Sequence, residues 1–235
     1  MLLEVDGVRL LTDPVLRSRV VHLRRHGSTP DPPQRVDAVL LSHLHYDHAD
    51  LPSLRLLGRD VRVLAPRGSG AWLGRAGFPN TEELSAGERT DVGGVAVTAV
   101  AAHHDNRRRP CGGPRAEPIG FVVSGGGRIY FAGDTDLFDG MARFAPLDIA
   151  LLPIAGWGPK LGSGHLDPER AAQAAAMMRP RLVVPIHWGT LRPRWARARA
   201  WFRDPPHVFE GSVARLAPDI KVQVIAPGES LALSA

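Results

Sequence analysis

The six residues His43-Leu44-His45-Tyr46-Asp47-His48 put three imidazoles and a carboxylate into one short span of the chain. In an extended segment, residues two apart point the same way, so His43 and His45 aim their rings at one point. Asp47 and His48 come where the chain turns towards a helix and point elsewhere by a few ångströms. Neutral imidazole and carboxylate are the ligands that suit zinc and similar divalent ions. One short loop therefore has the donors for two neighbouring metals. The competing reading is a surface loop that happens to be polar. Against it, the loop follows a core-like apolar run, where unpaired imidazoles are costly to bury. Further donors recur after other such runs: His103 after Val92–Ala102, Asp134 after Arg128–Ala132, and His187 after Leu182–Ile186. Ligands gathered at the carboxyl ends of several strands are how α/β active sites are commonly built.

The elements that must position these donors read as alternating short strands and helices. Val36–Leu41 and Val61–Ala65 are apolar runs of strand length, with a short helix expected over Ala49–Leu57. Val92–Ala102 alternates like a strand after the turn at Gly93-Gly94. Ile119–Ser124 and Arg128–Ala132 flank Gly125-Gly126-Gly127, a hairpin signal. Ile149–Ile154 and Leu182–Ile186 are continuously apolar, the mark of strands buried on both faces. Between them the sequence predicts a helix: Asp167 as cap, Pro168 at the first position, Glu169 at the positive end of the dipole, alanine-rich Ala171–Met178, and Pro180 as stop. A second helix is expected over Arg194–Arg203, ahead of Pro205-Pro206, and a closing strand over Val222–Ala226. This order indicates α/β or α+β architecture with buried sheets. With no internal repeat and no low-complexity linker, residues 1–235 are expected to form a single domain.

The 235 residues are 44% hydrophobic and 23% charged, ordinary for a globular chain and unlike a disordered, collagen-like or disulfide-stapled one. Cys111 is the single cysteine, so no intrachain disulfide forms and no oxidising compartment is needed. No uncharged apolar run reaches the roughly 18 residues of a membrane span. Glu4 and Asp6 fall where a signal peptide needs an apolar stretch, so the expected location is the cytoplasm. Lys plus Arg total 29 against 24 Asp plus Glu, a net charge of +5, and only Lys160 and Lys221 are lysines. The arginines are scattered, with runs at Arg107–Arg109 and Arg192–Arg203, and read mostly as solvated faces. A nucleic-acid partner is not favoured; an anionic small substrate is also compatible with the excess.

H-x-H-x-D-H at 43–48, then His103, the Gly133-Asp134-Thr135 turn and His187, resemble the metallo-β-lactamase superfamily. The resemblance is closer to a branch containing N-acyl-phosphatidylethanolamine-hydrolysing phospholipase D and ascorbate-6-phosphate lactonase relatives. Leu11-Thr12-Asp13-Pro14, Ser42–Asp50, Tyr130–Thr135, His165-Leu166-Asp167-Pro168-Glu169 and Pro185-Ile186-His187-Trp188-Gly189-Thr190 match it in order and spacing. The resemblance implies an αβ/βα four-layer sandwich with metals at one edge. It implies His43, His45 and His103 on a first ion, Asp47, His48 and His187 on a second, and Asp134 bridging. Two divalent ions, zinc favoured and manganese or iron(II) admitted, would then share an activated water. Asp47 is also expected to handle that water's proton.

Family members carry an arginine four residues after their ligand histidine. Arg107 satisfies this from His103, so His103 is expected as the ligand, with His104 behind it or exposed. His165 is implied near the substrate, with a structural role at the helix start beside Asp167 kept as the other reading. Asp13 resembles a carboxylate that orients a ligand histidine. Tyr46 and Trp188 could line the pocket or simply pack, and Arg107 could meet an anionic group or stay an exposed loop residue. Two departures stand out. The family usually has another strand, with a Gly-His-small motif, before the point where this chain begins, so that sheet edge is expected to be shortened or the start site late. The loop Asp105–Glu117 lacks the branch's aromatic sequence, which bears on substrate choice.

The expected function is a metal-dependent hydrolase cleaving an ester-type bond, phosphodiester or lactone, in a small or lipid-like substrate. A nuclease of the same fold and a non-catalytic metal-containing binding module are the alternatives. A homo-oligomer is compatible with the sequence.

Overall fold

The apolar runs become strands because each has a core to face on both sides. In the segment leading to the histidine loop, Ala38 and Leu40 face one hydrophobic layer while Val39 and Leu41 face another. Such two-sided burial leaves no polar position in the run. The computed structural model describes residues 1–109, 112–158, 160–226 and 228–232; Cys111 lies outside these.

Strands numbered in chain order form two large sheets and a ribbon. The first sheet runs Leu2–Val5 (β1), Val8–Thr12 (β2), Ala38–Leu40 (β5), Val63–Pro66 (β6) and Thr81–Leu84 (β7). Its β1–β2 pair is an antiparallel hairpin and the remaining pairs are parallel. The second sheet runs Lys221–Val222 (β15), Leu182–Ile186 (β13), Ile149–Pro153 (β12), Arg128–Phe131 (β11), Ile119–Ser124 (β10), Val95–Ala101 (β9) and Arg89–Val92 (β8). Strands β11, β12, β13 and β15 are parallel, and β8 to β11 meander antiparallel. The ribbon joins Arg19–Val20 (β3), Leu23–Arg25 (β4) and Leu191–Pro193 (β14).

The two large sheets pack face to face through Leu10, Leu40 and Leu64 on one side and Val97, Phe121, Leu151 and Val184 on the other. Helices Leu51–Leu56 (α1) and Gly70–Arg75 (α2) cover the outer face of the first sheet, burying Leu54 and Leu73 against Val39 and Val63. Each such leucine contributes roughly 1.5–3 kcal/mol. Helices Pro168–Met178 (α3) and Pro205–Leu216 (α5) cover the second sheet at Val122, Ala150 and Val183. The result is the expected αβ/βα four-layer sandwich.

Helix α3 starts as its sequence requires, with the Asp167 carboxylate accepting from Arg170 N–H at 2.8 Å. The expectation over Arg194–Arg203 is corrected: only Ala200–Arg203 (α4) is helical there, and Pro205-Pro206 opens α5 instead of ending a helix. A proline in the first turn loses no hydrogen bond, so the pair reads as a start as readily as a stop. The closing strand is Lys221–Val222, shorter and earlier than expected.

Strand polarity gathers the carboxyl ends of β2, β5, β9, β11, β12 and β13 along one edge. There the sheets touch: Ile119 N–H donates to Ser42 O at 3.0 Å. Gly133 has φ +61°, and a Cβ on it would lie 2.4 Å from Ser42 Cβ. Only glycine permits this approach.

Candidate metal centre

The centre is built outward from Asp13, which follows β2 at φ 37°. Its Oδ1 accepts from Ser42 N–H at 2.8 Å, and its Oδ2 accepts from Ser42 Oγ–H at 2.5 Å and His48 Nδ1–H at 2.7 Å. Because the Ser42 hydroxyl proton is committed to Asp13, its oxygen accepts from His43 Nδ1–H at 2.9 Å. Both imidazoles are thereby held with the other nitrogen, Nε2, directed inwards, the atom that would ligate an ion once it carries no proton. Burial lowers His48, yet Asp134, Asp47 and Asp13 hold it well above the usual imidazole range. His104 is oriented the same way, donating Nδ1–H to the Gly164 carbonyl at 2.6 Å.

Three ring nitrogens then converge. His45 Nδ1 lies 3.0 Å from His43 Nε2 and 2.9 Å from His104 Nε2. One proton on His45 can bridge only one of these neighbours, so at least one inward lone pair is left without a donor. Protonation is no remedy. Burial, reinforced by the charge of His48, holds His43 well below the usual imidazole range. Burial likewise lowers His45, and it takes His104 to about 4 against the opposing pull of Asp134. A tetrahedral ion with bonds of about 2.0–2.1 Å would place its nitrogens about 3.3 Å apart, close to what these rings already hold. The donor set fits a divalent cation.

A second convergence lies beside the first. His187, in the left-handed region at φ 60°, donates Nδ1–H to Ala155 O at 2.9 Å and turns Nε2 inwards. That nitrogen is 3.1 Å from His48 Nε2 and 3.6 Å from both Asp47 Oδ2 and Asp134 Oδ1. His48 Nε2 is also 3.2 Å from Asp134 Oδ2. Burial pushes both carboxyls up, but His48 and His187 outweigh it, bringing Asp47 to about 2 and Asp134 well below the usual carboxylate range. Reciprocally, burial lowers His187, yet Asp134 and Asp47 lift it to about 9. A buried anion, Asp134, and a mostly buried one, Asp47, attract positive charge at this point. Asp134 Oδ1 is buried without a hydrogen bond, an acceptor still available to a cation.

The ligand atoms of His43, His45 and His104 lie within 4.8 Å of one another, as do those of Asp47, His48 and His187, and those of His104, Asp134 and His165. Of the residues expected from sequence, the structure brings together His43, His45, Asp47, His48, Asp134 and His187. It does not bring in His103, the residue expected there; the ring that converges with His43 and His45 is that of His104. The exposed His103 ring stacks on Phe138 at 4.1 Å, while its backbone N–H donates to Thr135 Oγ1 at 2.9 Å and its carbonyl accepts from Asp136 N–H at 2.8 Å. With His103 tied outside, the next residue turns inwards. Strict alternation from Val97 and Ala99 would have pointed His103 inwards, but β9 ends at Ala101 and the alternation ends with it.

His165 sits at the rim, edge-on to His104 with ring centroids 4.6 Å apart, and its Nε2 is 3.6 Å from Asp134 Oδ2. Arg107 pairs with Asp105 at 2.7 Å. An open cleft of about 460 Å3 beside the rings is lined by His103, His104, Arg107, Asp136, Leu137 and Gly164. Trp188 packs with the outer core, its Nε1–H donated to Pro185 O at 3.0 Å. Arg108 is the functional residue that sequence reasoning missed. It is buried, donates Nη1–H to Leu44 O at 2.6 Å and Ala49 O at 3.0 Å, and lies between the rings of Tyr46 and Trp72 at 4.3 and 4.4 Å. The histidine loop is clamped at both ends by this one guanidinium. No pattern distinguishes it from Arg107 and Arg109 in the sequence.

A four-layer sandwich whose two sheets jointly present converging imidazoles and carboxylates at one edge defines the metallo-β-lactamase fold. The family described as beta-lactamase superfamily domain matches residues 8–188. A UPF0173 metal-dependent hydrolase from Methanopyrus kandleri is 32% identical over 241 residues, covering 97% of this chain and 93% of its own. Igni18, a metallo hydrolase from Ignicoccus hospitalis, matches with a TM-score of 0.73 at 25% identity, over 98% of this chain and 92% of that one. The isothiocyanate hydrolase from Delia radicum gut bacteria shares the fold, with a TM-score of 0.72 at 23% identity, over 100% of this chain and 96% of that one. The chain belongs to the β-lactamase superfamily, among its metal-dependent hydrolases.

Proposed function

We propose that residues 1–235 form one dinuclear metallohydrolase domain that cleaves an ester-type bond, with phosphodiesters and lactones leading. His43, His45 and His104 would hold one ion, and Asp47, His48 and His187 the other. Asp134, within reach of both groups and with a buried oxygen to spare, would bridge them. Bound divalent ions, zinc favoured by the imidazoles and manganese or iron(II) admitted by the carboxylates, supply Lewis acidity and lower the pKa of water. Asp13, Ser42, Gly164 and Ala155 orient the rings by taking their Nδ1 protons, directly or through one hydroxyl. Asp47, anionic at neutral pH, accepts a proton from the attacking water. His165, part-exposed at the rim, donates one to the departing oxygen. The cleft beside His104 receives a small or lipid-like substrate.

The observation that carries this reading is the meeting of three ring nitrogens, one from a buried and two from half-buried histidines, with fewer protons than lone pairs. The resemblance of the segment His165–Glu169 to the phospholipase and lactonase branch supports the choice of ester bonds. The test combines elemental analysis with phosphodiester and lactone panels, using the metal-loaded protein. Two ions per chain and turnover on one panel are expected. His165→Ala should lower turnover with both ions retained. Silence on both panels at full metal occupancy would refute the ester assignment.

A further inference from the structure

We propose that the ribbon β14–β4–β3 is a docking surface for an anionic lipid bilayer. Its pairing sets Arg19 opposite Arg24 and Arg24 opposite Arg192, a row of three arginines across three adjacent strands. Strands about 4.8 Å apart bring these like charges into direct opposition, which destabilises a sheet. The other face is ordinary: Val20, Leu23 and Pro193 are buried. Arg19 and Arg24 are exposed and have no ion pair among the described residues. Segments 17–27 and 190–203, which build the ribbon and its continuation, contain no Asp or Glu. Arg192 is half-buried and donates Nη1–H to Ala196 O, while Arg194, Arg197 and Arg199 add exposed charge beyond β14. Repulsion of this kind is relieved by an anionic partner.

The tip of the ribbon identifies the partner. Val21, between β3 and β4, is 69% exposed and sits at φ 48°, a backbone region that β-branched residues avoid. Beside it, the His22 ring meets Trp157 edge-on at 5.2 Å and stacks on Trp195 at 5.4 Å. Trp195 is 70% exposed and Trp157 41%. An apolar tip with indoles, ringed by arginine, has the composition of a segment that settles at the headgroup boundary. Single-stranded nucleic acid would also attract arginine and stack on tryptophan, but it has no use for an aliphatic side chain at the tip. The ribbon is tied to the catalytic edge. Arg17 Nη2 lies 2.6 Å from Oδ1 of Asp50, two residues after His48, and His26 N–H donates to Thr190 O at 2.8 Å, three residues after His187. Docking would hold the centre beside the lipid surface whatever bond it cleaves.

The test is sedimentation of the full chain with phosphatidylcholine vesicles, with and without phosphatidylserine, and with a single-stranded RNA homopolymer as competitor. Capture by phosphatidylserine vesicles, lost as salt is raised, is expected. A basic side chain near an anionic surface is worth about a five-fold change in binding, so Arg19→Gln with Arg24→Gln should weaken capture about thirty-fold. Removing opposed charges should leave the melting midpoint unchanged or raised, which separates lost docking from lost folding. Trp195→Ala should weaken capture independently of salt. The proposal is overturned by absence of capture at low salt, by undiminished capture of the double variant, or by RNA displacing the vesicles. None of these outcomes bears on metal content or turnover of soluble esters, which test the hydrolase reading separately.

Discussion

Asp13→Asn removes one charge and one acceptor from beneath the centre while leaving shape and backbone alone, since asparagine tolerates the left-handed region as aspartate does. The wild-type carboxylate takes three donors: Ser42 N–H, Ser42 Oγ–H and His48 Nδ1–H. An amide has one oxygen. With its NH2 at the Oδ1 position, it opposes the Ser42 N–H. With its NH2 at the Oδ2 position, it donates to His48 Nδ1, drives that ring's proton to Nε2 and removes the inward lone pair. The Ser42 hydroxyl is released in the same stroke, and with it the partner of His43. Groups that orient metal-binding histidines typically contribute 10–100-fold in affinity, about 1.4–2.8 kcal/mol. Competition for zinc against a chromophoric chelator, with elemental analysis and circular dichroism, would measure it. The expected result is a folded protein whose affinity falls within that range. Wild-type affinity in a folded Asp13→Asn variant would refute the argument that Asp13 fixes the tautomers.

Three further predictions follow from individual contacts. His104→Ala should lose one ion per chain by elemental analysis, whereas His103→Ala should keep two; the opposite pattern would return His103 to the ligand set. Arg108→Met leaves the Leu44 and Ala49 carbonyls without their charged donor and should lower the unfolding free energy by about 1.5–3 kcal/mol, read from denaturant midpoints, with weaker metal retention. Tyr130→Phe should be neutral or stabilising by about 1–3 kcal/mol, because the buried hydroxyl has no hydrogen bond among the described residues and burial already pushes its ionisation up. A lowered melting temperature there would reveal a partner for that hydroxyl.

Residues that sit where strand pattern and cap chemistry agree were legible. Leu182–Ile186 reads as a strand because both its faces are apolar, and α3 begins at Asp167 because cap, proline and dipole coincide. The H-x-H-x-D-H segment was legible because spacing alone confines its donors to one loop. The choice between His103 and His104 was not, because it is made after β9 has ended, by contacts to Thr135 and Asp136 that belong to another part of the chain. Arg108 and the ribbon escaped for a related reason. An arginine's surroundings are set by tertiary neighbours, and a row formed by residues 19, 24 and 192 looks scattered until the strands pair.

The near-collision of Gly133 with Ser42 has a thermodynamic corollary. Donors on the first sheet face donors on the second across that seam, so an ion seated between them would act as a removable rivet joining the two leaves of the sandwich. With such an ion bound, heat resistance would cease to be a property of the polypeptide alone: it would climb with the logarithm of free ion concentration.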